Sequence, residues 1–261
     1  MSFWNRLKNA WNIFKLSFSL LKKDKSLIAI PVLMLLSLII LMGIFWYLNY
    51  VQILYRNYIT YLIFLFVMYF ILTFLAAAQS WMVYEVLRGK DTTVKSGFKR
   101  AIQNFGDILT FVFTVILIRI FSSWLRKKGM IGQAAGSFID YVTGIAGKLV
   151  LPAMIITERN FKDSVIQLKD SLKAIPEIAI YEIGIRPLTA LFFFIGVFIT
   201  ILLSFSSFIF PIFGFLAGII FLLIWLLIMM LLSVYVNNTY YTILYLTLIE
   251  KKKIPGLKLA K

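Results

Sequence analysis

The chain has 261 residues, of which 61% are hydrophobic and 17% aromatic, and its mean hydropathy is +0.92. This composition excludes a water-soluble domain, because a chain of this length cannot bury so much apolar surface in an aqueous core, and it predicts a polytopic α-helical membrane protein. The net charge of +16 does not indicate nucleic acid here, because nearly all the basic residues flank apolar segments, as membrane topology and anionic headgroups require.

The N-terminal segment is predicted to form an amphipathic helix in the headgroup layer. Lysines, asparagines and a serine occupy one face of this helix, opposite a stripe of apolar residues at spacings of three and four. The stripe consists of Phe3, Leu7, Trp11, Phe14, Phe18 and Leu21. Aromatic anchors opposite a basic face are typical of an interfacial helix, and docking of the same helix on the protein's own bundle is the alternative.

Two apolar segments, 26–47 and 58–83, are each predicted to cross the membrane, since each reaches the roughly 20 residues that a spanning helix needs. A second amphipathic surface helix follows them. Its apolar stripe is predicted to consist of Val94, Phe98, Ala101 and Phe105.

The third and fourth spans are predicted at 108–121 and 130–156. The first is short and contains Arg119, and the second contains Asp140, Lys148 and several glycines. A re-entrant or tilted pair buried among other helices would tolerate these features better than two lipid-facing spans would. Both arrangements return the chain to the same side.

The remainder of the chain repeats the pattern. A third surface helix is predicted at 157–174, a fifth span at 177–206 and a sixth at 212–235. The apolar face of the third surface helix is predicted to consist of Phe161, Val165, Leu168, Leu172 and Ile175, with Pro176 ending the helix.

An internal repeat relates these segments. Residues 98–109 recur as 168–179, with Asp107 corresponding to Glu177, and a fainter copy begins at Lys15. In the first two copies a short amphipathic helix leads through a helix-breaking residue and an acid into a long apolar segment.

The sequence thus predicts one membrane domain of three pseudo-repeated units, 1–87, 88–157 and 158–261. Each unit is a basic interfacial helix followed by a helical hairpin, which makes about six transmembrane helices. Twenty lysines and arginines fall on the side that holds both termini, and four fall on the other side. The positive-inside rule then predicts a cell-membrane protein with both termini in the cytoplasm.

Five charged residues lie at predicted membrane depth, namely Arg119, Asp140, Lys148, Glu182 and Arg186. Each costs roughly 2.5 to 3.5 kcal/mol at mid-bilayer unless it finds a partner, water or the interface. Glu182 and Arg186 are four residues apart and are interpreted as a structural pair. Asp140 and Lys148 lie about two turns apart, and with Arg119 they form a hypothetical polar path for an ion or proton.

Two glycine pairs, Gly132-x-x-x-Gly136 and Gly214-x-x-x-Gly218, predict close helix packing within the chain, with homo-oligomerisation as the alternative.

No catalytic, metal or cofactor site is predicted. The chain has no cysteine and no histidine, which excludes disulfides, thiolate or imidazole metal sites and Cys-His or Ser-His nucleophile pairs. It has no nucleotide-binding loop, and its eleven acids are not clustered as divalent-metal ligands.

Several short motifs resemble those of an uncharacterised family of prokaryotic six-helix integral membrane proteins. The motifs are Ser2-Phe3-Trp4-Asn5-Arg6 with Trp11, Phe14-Lys15-x-Ser17, Ser96-Gly97-Phe98-Lys99-Arg100-Ala101, Leu151-Pro152-Ala153 before Glu158, and Leu168-Lys169-x-Ser171. That family is similar in layout to the membrane domain fused to some glycerophosphodiester phosphodiesterases. The 261 residues contain no counterpart of the soluble phosphodiesterase domain, so the resemblance implies the layout and not that activity.

These observations favour a non-enzymatic function, as a membrane-organising or lipid-interacting scaffold that engages anionic headgroups. One alternative is a small-solute or ion transporter or channel with a polar path through the middle hairpin. Another is an accessory subunit of a larger membrane complex. The expected partners are membrane lipids and either a second copy or another membrane protein, and no nucleic acid is expected.

Overall fold

The protein is all-helical throughout the part of the chain that the computed structural model describes, which comprises residues 3–51, 57–170, 194–202, 211–252 and 254–255. Its helices are α1 (Phe3–Lys23), α2 (Ala29–Tyr50), α3 (Tyr58–Leu87), α4 (Val94–Gln103), α5 (Phe105–Arg126), α6 (Gly129–Thr157), α7 (Phe161–Asp170) and α8 (Pro211–Leu244). A 3-10 turn, Lys25–Ile28, precedes α2, a helical segment spans 194–202, and a π-helical turn, Tyr245–Ile249, continues α8.

Five of these helices, α2, α3, α5, α6 and α8, are long and apolar enough to cross a membrane. This confirms the prediction of an all-α membrane protein. The first four predicted spans coincide with α2, α3, α5 and α6, and the sixth lies within α8. The predicted fifth span, 177–206, falls mostly outside the described residues.

Many apolar side chains on the outside of the long helices are exposed. Ile40, Ile63, Phe113 and Leu223 are all more than half exposed. Lipid can cover such apolar side chains. The helical backbone is also stable in lipid, because it satisfies its own hydrogen bonds there. The largest buried cluster instead lies where α3, α6 and α8 meet α1 and α4.

The α5–α6 hairpin is packed more closely than the other long helices because two glycines remove the side chains between them. A Cβ atom built on Gly136 would lie 2.5 Å from the Ser122 carbonyl oxygen, and one built on Gly132 would collide with the Leu125 carbonyl. The first predicted glycine pair therefore packs within the chain. The second pair falls partly on residues whose side chains are not described.

The third and fourth spans are longer than predicted. α5 has 22 residues and α6 has 29, so they extend about 33 Å and 44 Å at 1.5 Å per residue. These lengths favour two crossing helices over a re-entrant pair. Phe105, predicted to lie on the second surface helix, is the first residue of α5, because the chain bends at Asn104.

The three amphipathic helices, α1, α4 and α7, lie at one end of the bundle, which we call the surface-helix end. The other end, where α2 ends and α3 begins and where α5 turns into α6, is the opposite end. At the opposite end Asn57 caps the start of α3, and its side chain accepts hydrogen bonds from the amides of Ile59 and Thr60 at 3.0 and 3.3 Å.

Helix α1 docks on the bundle, as the alternative interpretation of the N-terminal segment predicted. Its buried side chains include Ile13, Ser17 and Leu20, and the Tyr235 hydroxyl of α8 donates to the Ser17 carbonyl at 2.8 Å. The predicted apolar face included Trp11, which is 39% exposed in the structure. The face that packs on the bundle is the neighbouring one, which has the aliphatic residues Ile13 and Leu20.

Helix α7 begins later than predicted, at Phe161, because Glu158 adopts a left-handed conformation with φ of 58° and ends α6. The predicted face is also rotated, since Ser164 is buried whereas Val165 is 41% exposed. The predicted face residues Leu172 and Ile175, together with Pro176, lie outside the described residues.

A carboxylate placed after each of the first two surface helices holds the start of the next one. Asp24 accepts from the Thr92 amide at 3.1 Å, just before α4, and Asp107 accepts from the Phe161 amide at 2.9 Å, at the start of α7. Burial opposes ionisation of Asp24, but hydrogen bonds from Ser26 and Thr92 leave its pKa below the usual value. Each contact joins the segment that follows one surface helix to the start of the next surface helix.

Candidate functional site

The surface-helix end presents a stripe of basic residues on the side of α1 that faces away from the bundle. Lys8, Lys15 and Lys22 are exposed at spacings of seven residues, which places them close to one line along the helix. Trp11 lies between the first two, and the Lys15 ammonium lies 5.3 Å from its ring centroid. Lysine and tryptophan are residue types that are typical of protein surfaces at the membrane interface.

Helices α4 and α7 present similar mixed surfaces. On α4 the exposed residues include Lys95, Lys99 and Ile102, the last of which is 62% exposed. On α7 the exposed Lys162 precedes Val165 and Ile166, which are 41% and 47% exposed. Each of the two helices therefore exposes both cationic and apolar side chains, which is the composition typical of an interfacial helix.

Arg100, in the middle of α4, makes its contacts within the protein. It is 9% exposed, its Nε donates to the Ile155 carbonyl at 2.8 Å, and its Nη1 lies 3.0 Å from Glu158. Its guanidinium also lies 4.5 Å from the centroid of the Trp81 ring. These contacts tie α4 to α6 and α3, and they leave Arg100 largely buried.

A second polar cluster ties α7 to the end of α8. Glu250 Oε1 accepts from Gln167 Nε2 at 2.8 Å and from the Tyr245 hydroxyl at 3.0 Å, and Oε2 lies 3.5 Å from Lys252. Burial opposes ionisation of Glu250, but these hydrogen bonds and the positive charges of Lys252 and Arg159 leave its pKa below the usual value. The π-helical turn places Tyr245 and Glu250 in this cluster.

At membrane depth, α3, α5, α6 and α8 line a half-open cavity of about 270 Å³. Arg119 and Lys148 both line it, and each lies beside a tyrosine ring. The Arg119 guanidinium is 5.3 Å from the centroid of Tyr69, and the Lys148 ammonium is 4.6 Å from that of Tyr241, to whose hydroxyl it donates at 3.1 Å.

A pair of hydrogen-bonded amides lies beside the cavity. Asn238 lines the cavity, and its Nδ2 donates to Gln79 Oε1 at 2.9 Å. Gln79 is fully buried and donates in turn to the Tyr235 carbonyl at 3.4 Å. This network links α3 to α8, and its donors and acceptors satisfy each other away from water.

Asp140 does not line this cavity. Its carboxylate accepts a hydrogen bond from the Ser122 hydroxyl and forms a 2.6 Å ion pair with Arg126, both on α5. The structure therefore brings Arg119 and Lys148 together and separates Asp140 from them. Glu182 and Arg186 lie outside the described residues.

Sequence reasoning did not single out Tyr69, Tyr241 or Gln79, and it noted Asn238 only as part of a polar extension of the last span. Polar side chains in otherwise apolar helices are the signal that would have found them.

Comparison with protein-family models, with curated proteins and with solved structures finds no match to this chain.

Proposed function

We propose that this chain is a non-enzymatic, multi-pass membrane protein that binds anionic lipid headgroups through its three surface helices and so organises the lipid around it. The observation that supports this most directly is the exposed stripe of Lys8, Lys15 and Lys22 beside Trp11 on α1. Basic residues near an anionic surface contribute about 1 kcal/mol each, so this stripe alone contributes about 3 kcal/mol.

The same proposal includes the topology: six helices cross the membrane in three units, and both termini lie in the cytoplasm. Two units are supported by described helices, α1 with α2 and α3, and α4 with α5 and α6. The equivalent carboxylate contacts of Asp24 and Asp107 also support a repeat. The resemblance to the prokaryotic six-helix family is part of the same proposal.

The headgroup role is tested in nanodiscs assembled from a fixed mixture of phosphatidylglycerol and phosphatidylcholine. Quantifying the lipids that co-purify with the protein measures enrichment of the anionic lipid, and hydrogen exchange measures protection of α1. We expect the triple variant Lys8→Gln, Lys15→Gln, Lys22→Gln to reduce both. The matched control changes the same three lysines to arginine, which keeps the charge.

Enrichment should also fall with added salt, because exposed charges are screened over about 8 to 10 Å at physiological ionic strength. Equal enrichment for the glutamine and arginine triples at low salt would contradict the headgroup role.

A transporter or channel is the second candidate, and the cavity beside Arg119 and Lys148 is the observation that favours it. A scaffold has no need of cationic side chains at membrane depth. Proteoliposome flux of halide or phosphate tests this candidate, and Lys148→Met should reduce any such flux. Flux indistinguishable from that of protein-free liposomes would reject it.

A further inference from the structure

A second recess, of about 490 Å³, lies between α3 and α5 toward the opposite end of the bundle. We call it the α3–α5 groove. Its walls are aliphatic and come from both helices, with Leu62, Leu65 and Met68 on one side and Ile116 and Ile120 on the other. Side chains outside it continue the apolar surface, since Ile63 is 58% exposed. The groove is thus shaped and lined for a hydrocarbon chain.

Polar groups are concentrated along one edge of this groove. Arg119, Ser123 and Lys127 all line it, and their spacing of four residues places them one turn apart on the same side of α5. Trp124 and Tyr61 line the same end, and aromatic residues of these types mark the level of the headgroups. The groove therefore has an apolar trough and a basic rim.

Arg119 is the residue whose environment calls for a ligand. It lies two turns before Arg126, about 10 Å below that end of α5, and its side chain is exposed to the groove. Its guanidinium lies 5.3 Å from the centroid of the Tyr69 ring, which lines both this groove and the cavity described above. Among the described residues no carboxylate lies within ion-pair distance of Arg119, whereas Arg126 is paired with Asp140 at 2.6 Å. An arginine at membrane depth is costly unless it finds a partner.

A phosphate group meets the chemistry of this edge. Guanidinium binds phosphate oxygens with two parallel hydrogen bonds, and a hydroxyl and an ammonium beside it add further donors. The long arginine side chain also reaches toward the interface, where a lipid phosphate lies. A free anion would leave the aliphatic walls unused, so charge and apolar lining together select an amphiphile.

We propose that the α3–α5 groove binds one anionic phospholipid, with its phosphate on Arg119 and Ser123, Lys127 at the mouth, and the start of one acyl chain between Leu65 and Ile116. This site is separate from the surface helices, which lie at the other end of the bundle. It places a specifically held lipid in the leaflet opposite the one that the surface helices engage.

Lipid titration of the delipidated protein, followed by native mass spectrometry, tests this site. The wild-type protein should bind one phosphatidylglycerol more tightly than the rest and more tightly than phosphatidylcholine. Arg119→Gln should weaken that first binding event at least about tenfold, since it removes charge-assisted hydrogen bonds, and Arg119→Lys should retain part of the affinity.

Two further variants separate charge from shape. Ile120→Trp fills the groove and keeps every charge, so it should also weaken binding of the first lipid. Arg126→Gln removes the same type of charge from the same helix without lining the groove, and it should leave the first lipid in place. Size-exclusion profiles and thermal unfolding verify that each variant is folded.

Equal binding of phosphatidylglycerol and phosphatidylcholine by the wild type would overturn the proposal, as would unchanged binding in both Arg119→Gln and Ile120→Trp. Failure of the surface-helix proposal gives a different result, because the lysine triple on α1 should keep the tight first lipid. Conversely, Arg119→Gln should keep the anionic enrichment measured in nanodiscs.

Discussion

Replacing Gly136 by alanine should destabilise the α5–α6 hairpin. The added Cβ would lie 2.5 Å from the Ser122 carbonyl oxygen and 2.6 Å from Cγ of Arg126. Ordinary contact begins near 3.4 Å, so the two helices must separate by about 0.9 Å at this crossing. The nearest atom is a backbone carbonyl, which cannot turn away as a flexible side chain would. Overpacking of this kind costs about 1 to 3 kcal/mol.

Gly144→Ala in the same helix is the matched control. A Cβ at Gly144 meets no atom within 4 Å, and alanine is favoured over glycine in a helix interior by up to about 1 kcal/mol. We therefore expect Gly136→Ala to lower the midpoint of unfolding in mixed detergent micelles and Gly144→Ala to leave it unchanged or raise it. Equal midpoints for the two variants would refute the argument that backbone contact holds this hairpin.

Three further predictions concern individual contacts. Asp140→Asn should cost less than about 1 kcal/mol in thermal unfolding, because its ion pair with Arg126 is partly exposed; a larger loss would show a buried role. Tyr235→Phe removes the hydrogen bond to the Ser17 carbonyl and should cost about 0.5 to 1.5 kcal/mol, with faster hydrogen exchange in α1; unchanged exchange would contradict it. The pKa of Glu250 is lowered in the folded protein, so its contribution to stability is complete above the unfolded value of 4.5 and is lost as the pH falls through the lower folded value. Glu250→Gln should therefore flatten the dependence of stability on pH below 4.5. A profile that stays parallel to that of the wild type would argue against this role.

The long helices were predictable because mean hydropathy identifies the segments that are apolar enough to lie in lipid. The predicted spans 26–47 and 58–83 agree with α2 and α3 to within a few residues at each end. The third span was predicted too short, because Asp107 and the serines near 122 interrupt the apolar segment without interrupting the helix. Its ends are set by the bend at Asn104 and the turn after Arg126.

The orientation of the surface helices was less predictable. Periodicity identifies an amphipathic helix, but α1 has apolar residues on two adjacent flanks, and only the shape of the bundle decides that Ile13 is buried and Trp11 exposed. On α7 the same uncertainty placed Val165 inside, although it faces outward.

The sequence also did not show which charged residues at membrane depth lie together. Asp140 and Lys148 are eight residues apart, which is slightly more than two turns, so their directions differ by about 80°. That rotation is enough to direct Asp140 to Arg126 on α5 and Lys148 to Tyr241 on α8. The sequence gives the depth of each residue, but not the neighbouring helix that it faces.

The loop after Gly89 joins the first three helices to α4 along the chain. The hydrogen bond between Asp24 and the Thr92 amide joins the same two parts of the protein without a covalent bond. Gly97 adds to it, since a Cβ there would lie 2.9 Å from the Ala78 carbonyl, which shows how closely α4 rests on α3. A protease nick in that loop would consequently leave two fragments in register, and separately expressed halves divided there would have the means to reassemble in one bilayer.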